Sequence, residues 1–167
     1  RETEPDTDQA TLVAVDCPVA LNGVLQEKGD VDWFKIKGKK DQQFDFKVYG
    51  RKILRSPLDS WLEIYKAGGG RLAANDDAGG PDSLQTFKFP ADGDYTVAIR
   101  DQLNEGSPFH AYRIEIAPAE RGLAFTIDEM RRYEAQLVEV PQGGRMAVLL
   151  RAQRKNFSGE LGLRLEN

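Results

Sequence analysis

The sequence is short of the residues from which many catalytic and metal sites are built. Its 167 residues include one cysteine, Cys17, and one histidine, His110. A single cysteine excludes a disulfide within the chain, and a single histidine excludes a metal site with several histidine ligands. His110 lies in the segment SPFHAY, which lacks the G-x-S-x-G turn of a nucleophilic serine. We therefore expect that this chain is not an enzyme and has no catalytic residues.

Two further shortages limit the partners. The chain has 23 Lys and Arg against 27 Asp and Glu, a net charge of −4, and no stripe of basic residues. Nucleic-acid binding depends on cationic contacts to phosphates, so we expect no nucleic-acid partner. No apolar run approaches the roughly 18 residues that a membrane-spanning helix needs, so we expect no direct membrane insertion.

The feature that the sequence does have is apolar residues at every second position, in short runs. The runs are DWFKIKG, QFDFKVYG, LDSWLEIYKA, SLQTFKFP, DYTVAIRD and AYRIEIA. Turn sequences such as GKKD, AGGG, PADGD and NEGSP separate them. Alternation with a period of two predicts strands with one buried face, and regular short strands indicate an all-β sandwich, jelly roll or barrel. The residues predicted to be buried are Phe34, Ile36, Phe44, Phe46, Leu62, Ile64, Phe87, Val97, Ile99 and Ile114.

The composition changes near Pro118, where APAERG leads into a different set of segments. EAQLVEVPQGG, RMAVLLRAQR and GELGLRLEN predict about three more strands. We therefore divide the chain into a disordered or extended N-terminus at 1–11, a β-sandwich at 12–118, and an additional, partial β segment at 119–167, the start of a second β domain. Residues 126–137, TIDEMRRYEAQL, are the only fair helix candidate and could equally be a turn followed by a strand.

Acidic residues are concentrated in the predicted loops, most densely in ANDDAGGPDSL. If consecutive strands pair as antiparallel hairpins, one end of the sandwich collects Asp30, Asp32, Asp59, Asp76, Asp77, Asp82 and Asp101. Carboxylates this close repel one another unless water or a cation intervenes. Oxygen ligands on loops are those that Ca²⁺ takes, so the seven aspartates are candidate metal ligands, with Ca²⁺ as the candidate cofactor. The alternative is that each aspartate caps a turn through its own backbone.

A second candidate site is aromatic. The alternation directs Trp33, Tyr49, Trp61 and Tyr65 away from the core-facing set. Flat aromatic side chains on an outer sheet face would suit sugar rings, so these four form a candidate ligand platform of a carbohydrate-binding module. Alternatively, the second β segment covers them, or they belong to the core of the other layer.

An ordered series of segments resembles the bacterial pre-peptidase C-terminal domain over about residues 12–118. The series is GDVDWFKI, LDSWLEIY, LAANDDAGGPDS, DGDYTVAIRD and AYRIEI. The resemblance implies an antiparallel β-sandwich of jelly-roll type. It also implies a non-catalytic accessory or binding module of a larger exported protein. The family's acidic positions fall on the seven aspartates above, and calcium is linked to some members.

The resemblance also bears on location and partners. It implies an extracytoplasmic protein, secreted, periplasmic or at the cell surface. The expected partners are a protein or polysaccharide ligand, or neighbouring domains of the parent chain. Two functions remain open from the sequence: an accessory module stiffened by calcium, and a carbohydrate-binding module that uses its outward aromatics.

Overall fold

The computed structural model describes residues 12–78, 80–127 and 139–164, and the chain divides into two compact units, Arg1–Ala119 and Glu120–Asn167. The predicted N-terminal segment 1–11 and most of the helix candidate lie outside the described residues. The elements are β1 (Val15–Asp16), β2 (Val19–Val24), β3 (Val31–Gly38), β4 (Gln43–Tyr49), α1 (Arg51–Leu54), β5 (Ser60–Lys66), β6 (Arg71–Asn75), β7 (Leu84–Lys88), β8 (Gly93–Asp101), β9 (Ala111–Pro118), β10 (Gly122–Ile127) and β11 (Leu150–Lys155).

The first unit is a sandwich of two sheets. The first sheet has the order β1-β3-β8-β5-β6, and the second has the order β2-β9-β4-β7. All pairings are antiparallel except the two-residue parallel pairing of β1 with β3. Buried side chains from both sheets form a single hydrophobic cluster between them. The prediction of an all-β, antiparallel sandwich is confirmed.

The assumption that consecutive strands pair as hairpins predicts the pairs β3–β4, β5–β6 and β7–β8, and one of the three is present. β5 and β6 pair as predicted, with Leu62 opposite Asn75. β3 and β4 lie in different sheets, as do β7 and β8, so those two predicted pairings are wrong. The period-two pattern marks which face of a strand is buried, and either sheet of a sandwich can bury that face.

The turns nevertheless separate into two ends as expected. At one end, the backbone N–H of Lys40 donates to the carboxylate of Asp92 at 2.7 Å, which joins the GKKD and PADGD turns. The N–H of Ala67 in the AGGG turn donates to the carbonyl of Asp94 at 3.1 Å. The described residues of the loops 25–30, 50–59, 76–83 and 102–110 lie at the opposite end. We call these four loops the rim.

The core has the composition that the alternation predicted. Nine of the ten predicted residues are buried, and Phe34 is half-buried against the same cluster. Aromatic rings pack edge to face in its centre, with ring centroids 5.2 Å apart for Phe87 and Phe89. Gly38 lies against this cluster, and a Cβ atom there would come within 2.3 Å of the Phe89 ring. No larger residue fits at position 38 without displacing that ring.

The described part of the second unit contains two strands. β10 and β11 form an antiparallel ribbon, from Gly122 opposite Lys155 to Ile127 opposite Leu150. Of the three strands predicted after Pro118, only the RMAVLLRAQR segment contributes a strand among the described residues. Thr126 and Ile127 of the helix candidate belong to β10. In the described ranges, the structure has no helix that is both long and apolar enough to span a membrane.

Candidate functional site

Asp82, in the acidic loop of the rim, binds the start of the only helix in the described part of the first unit. Its two carboxylate oxygens accept backbone N–H bonds from Arg51 at 2.7 Å and Lys52 at 3.1 Å. Helix α1 begins after Gly50, which has no side chain with which to cap it. Unpaired N–H groups at a helix start favour an acidic acceptor, and here it comes from a loop 30 residues further along the sequence.

Asp101 binds the backbone of two other rim loops. Its Oδ1 atom accepts a bond from the N–H of Asp59 at 2.7 Å, and its Oδ2 atom accepts one from the N–H of Glu105 at 3.1 Å. The carboxylate of Asp59 lies 3.5 Å from the guanidinium of Arg51. Asp101 is buried, so its charge is held among these donors rather than in water.

The remaining candidate ligands have separate partners. Asp30 accepts a bond from the N–H of Gln26 at 2.6 Å. Asp76 accepts one from the N–H of Asp77 at 2.9 Å. Asp32 is buried in the core and accepts a hydrogen bond from the hydroxyl of Tyr112.

The structure therefore does not assemble the predicted seven-residue metal site. In the described ranges, no three Asp, Glu, His or Cys side chains are grouped so that they could hold a metal ion. The seven predicted metal ligands are Asp30, Asp32, Asp59, Asp76, Asp77, Asp82 and Asp101. Backbone N–H donors lie close to several of these carboxylates, as the turn-capping alternative predicts. Calcium binding stays a prediction.

The second candidate site lies on the surface of the first sheet that faces away from the core, which we call the outer face. The register places three residues of β3, β8 and β5 side by side in each row of this face. The rows are Val31, Arg100 and Trp61, then Trp33, Ala98 and Glu63, then Lys35, Thr96 and Tyr65. Neighbouring strands are about 4.8 Å apart, and successive rows are about 6.8 Å apart along a strand.

Three of the four predicted platform aromatics belong to the outer face. The rings of Trp33 and Tyr65 are tilted against each other, with centroids 5.4 Å apart. The guanidinium of Arg100 lies over the Trp61 ring, 4.9 Å from its centroid. All three aromatic residues are half-buried.

Tyr49, the fourth predicted member, is not part of this platform. It lies in β4 of the second sheet, where its hydroxyl donates to Glu115 at 2.8 Å and the Lys47 ammonium lies over its ring. The alternation correctly separated inward from outward residues but could not assign a strand to a sheet. The four-residue platform is corrected to Trp33, Trp61 and Tyr65.

A buried carboxylate occupies the centre of the outer face. The Glu63 side chain is 8% exposed, and one of its oxygens lies 2.5 Å from the Arg71 guanidinium. Its other oxygen lies 3.7 Å from Nε of Arg100. Burial raises the pKa of Glu63, but the hydrogen bond from Arg71 and the charge of Arg100 outweigh it and hold the pKa below its ordinary value.

Sequence reasoning missed Glu63, Arg71 and Arg100. The same period-two pattern that selected Trp61 and Tyr65 places Glu63 between them on the same face, so that signal was present in the sequence. The partners from β6 and β8 could not be found in this way, because their proximity depends on strand order. A single buried carboxylate that contacts two arginines is the element that fixes the charged side chains beside the aromatics.

The single cysteine and the single histidine both lie in buried or half-buried positions of the first unit. Burial, followed by the charge of Asp16, raises the pKa of the Cys17 thiol to about 11, so the thiol is protonated at neutral pH. His110 is buried, and its Nδ1 atom lies 2.8 Å from the hydroxyl oxygen of Ser107, three residues earlier. This local contact closes the loop before β9.

One curated protein is similar to part of this chain. A probable subtilase-type serine protease of Deinococcus radiodurans is 38% identical over 101 residues, which cover 52% of this chain and 14% of the protease. This chain therefore matches a small part of that relative.

Two solved structures are also similar. The pre-peptidase C-terminal domain of a collagenase from Bacillus anthracis has 14% identity and a TM-score of 0.49, covering 62% of this chain and 91% of that domain. A periplasmic inhibitor of g-type lysozyme from Aeromonas hydrophila has 15% identity and a TM-score of 0.45, covering 63% of this chain and 96% of that protein.

The family comparison is specific to the middle of the first unit. The profile of the bacterial pre-peptidase C-terminal domain matches residues 30–101. The matched segment begins at the rim immediately before β3 and ends with β8, so it includes Glu63, Arg100 and the three outer-face aromatics. Residues 30–101 of this chain are thus similar to the bacterial pre-peptidase C-terminal domain.

Proposed function

We propose that the first unit is a non-catalytic accessory module of a larger extracytoplasmic protein, and that it binds a polymeric ligand through its outer face. The match to the pre-peptidase C-terminal family and the relative in a probable subtilase-type protease support the accessory role. The occurrence of this family as an appendage of exported proteins supports the extracytoplasmic location.

The observation that carries the binding proposal is the arrangement of Trp33, Trp61 and Tyr65 on one sheet surface. Large aromatic side chains supply much of the contact energy at binding surfaces because they bury a large area for few rotatable bonds. A module that holds a polymer also keeps a linked catalytic domain close to it, which raises the effective concentration of the polymer without any new catalytic group.

Carbohydrate is the ligand class that this surface favours over a globular protein. The platform is built on a sheet, and the ring pair and the Trp61–Arg100 stack present two separate aromatic positions. A pyranose ring offers a flat C–H face that can lie on such rings. The second candidate is a proteinaceous polymer or a neighbouring domain of the parent chain that covers the same aromatics.

The test is a sedimentation assay of the intact chain with insoluble cellulose, chitin, cross-linked polygalacturonate and gelatin. We expect at least one matrix to retain the chain, and Trp33→Ala to reduce the bound fraction severalfold. Phe109→Ala is the matched control, because Phe109 is an aromatic residue that is 78% exposed on a rim loop. Equal retention of the Trp33→Ala variant and the unchanged chain would contradict binding through the outer face.

A further inference from the structure

The outer face carries a surplus of positive charge, although the whole chain has a net charge of −4. The single carboxylate of Glu63 lies between the guanidiniums of Arg71 and Arg100. Lys35 adds another cation in the row of Tyr65. The next row contains Lys37 with two carboxylates, Asp94 opposite it on β8 and Asp16 of β1, whose carboxylate lies 3.9 Å from the Lys37 ammonium, so that row adds no positive charge. The region around Glu63 is therefore cationic in an acidic protein.

The two guanidiniums are accessible, while the carboxylate that holds them is not. The side chains of Arg71 and Arg100 are 52% and 36% exposed, compared with 8% for Glu63. A guanidinium has five N–H donors in a planar fork, so contact with one carboxylate engages only part of it. Glu63 can thus fix the position of both arginines while each retains donors for a ligand carboxylate.

The aromatic positions flank these cations. From the strand and row spacings, the backbone positions of Trp61 and Trp33 are about 12 Å apart across the sheet. The Trp61–Arg100 stack occupies one side of Glu63, and the Trp33–Tyr65 pair occupies the other. Stacking surfaces and carboxylate-binding groups therefore alternate across the face.

We propose that the outer face binds an acidic polysaccharide, with sugar rings on Trp61 and on the Trp33–Tyr65 pair and sugar carboxylates on Arg71 and Arg100. This inference rests on the polymer-binding function proposed above and specifies its ligand. An acidic peptide would also satisfy the guanidiniums, but it lacks the repeated flat rings that the two aromatic positions suit. A neutral glycan could stack on the aromatic rings, but it has no carboxylate for Arg71 and Arg100 to bind.

The experiment is affinity electrophoresis of the intact chain in gels that contain polygalacturonate, hydroxyethylcellulose or polyglutamate. We expect polygalacturonate to retard the chain more strongly than either of the others. Arg71→Gln should weaken retardation by polygalacturonate about tenfold, as expected when one charge-assisted hydrogen-bonded contact is lost. Trp61→Ala should weaken it as well.

Lys88→Gln is the control for net charge. It removes one cation from the second sheet, where the side chain is 60% exposed and paired with Asp41. We expect this variant to bind polygalacturonate like the unchanged chain. Melting temperatures of all variants establish that they are folded, and Arg71→Gln keeps the test valid if Trp61→Ala does not fold, because the Arg71 side chain is exposed.

The outcomes separate this inference from the proposed function. Equal weakening by Lys88→Gln and Arg71→Gln, or retardation by polyglutamate that matches polygalacturonate, would overturn the acidic-glycan site. Retardation by hydroxyethylcellulose alone, or retention on gelatin alone, would overturn it while leaving polymer binding in place. The absence of retention on every matrix would overturn both.

Discussion

Replacement of Asp101 with alanine tests whether the rim is held together by carboxylate caps. Asp101 is buried and accepts N–H bonds from Asp59 at 2.7 Å and Glu105 at 3.1 Å. Asp101→Ala leaves both donors without this acceptor. A hydrogen bond to a charged group contributes about 1.5–3 kcal/mol, so the loss should be about 3 kcal/mol or more in the free energy of unfolding.

Urea unfolding followed by tryptophan fluorescence measures this loss, because Trp33 and Trp61 both lie in the first unit. A loss of about 3 kcal/mol corresponds to a fall in Tm of roughly 12 °C or more for a domain of about 100 residues. Asp101→Asn keeps one carbonyl acceptor and should lose about half as much. Asp77→Ala, at an exposed rim position, should change stability by less than about 0.5 kcal/mol.

The same measurements in chelator and in about 10 mM Ca²⁺ distinguish a cap from a metal ligand. If Asp101 acts as a cap, the loss is the same in both solutions. A loss below about 1 kcal/mol in both solutions would refute the capping argument, because two N–H groups would then have lost a charged acceptor at almost no cost. A loss that appears only with Ca²⁺ would refute it in favour of metal binding.

Three further results are expected. Phe46→Ala should cost about 3–5 kcal/mol because Phe46 is fully buried between the sheets, whereas the exposed Phe109→Ala should cost little; similar losses would contradict the assigned core. The calcium hypothesis predicts that Tm rises by several degrees from chelator to about 10 mM Ca²⁺, less so in Asp59→Ala and Asp77→Ala, and a flat titration with no bound heat would leave these aspartates as turn residues. Since the folded pKa of Glu63 is lowered, its ionisation stabilises the fold above its unfolded pKa of about 4.3, and this contribution is lost as pH falls through the folded pKa. Glu63→Gln should therefore be less stable than the unchanged chain at pH 7 and should approach it in acid, and a difference that is constant with pH would contradict the ion-pair account.

Apart from β1 and β2, the sequence by itself determined the strands of the first unit, the buried face of each of those strands and the two sets of turns. These properties are local, because a side-chain period of two fixes which residues face inward whatever the partner strand is. Phe46 and Ile99 could be placed in the core, and Trp33 and Trp61 on the outside, without any knowledge of strand order. The family resemblance could also be found in the sequence, because it depends on an ordered series of such segments.

Only the tertiary structure decided which strands share a sheet. Both sheets of a sandwich bury one face of each strand, so the same alternation suits either of them. For this reason Tyr49 was grouped with Trp33, although it lies in the other sheet. The proximity of Arg71 and Arg100 to Glu63 likewise depends on β5 lying between β6 and β8.

For the acidic rim, too, the sequence determined the location of the carboxylates and the tertiary structure determined their partners. The sequence predicts that carboxylates collect in loops at one end. If successive strands run in opposite directions, the loops that connect them alternate between the two ends of the sandwich. It could not show which donors they meet, since the cap that Asp82 provides for Arg51 and Lys52 joins loops about 30 residues apart. Packing of the two sheets brings those loops together and places backbone N–H groups beside the carboxylates of Asp82 and Asp101.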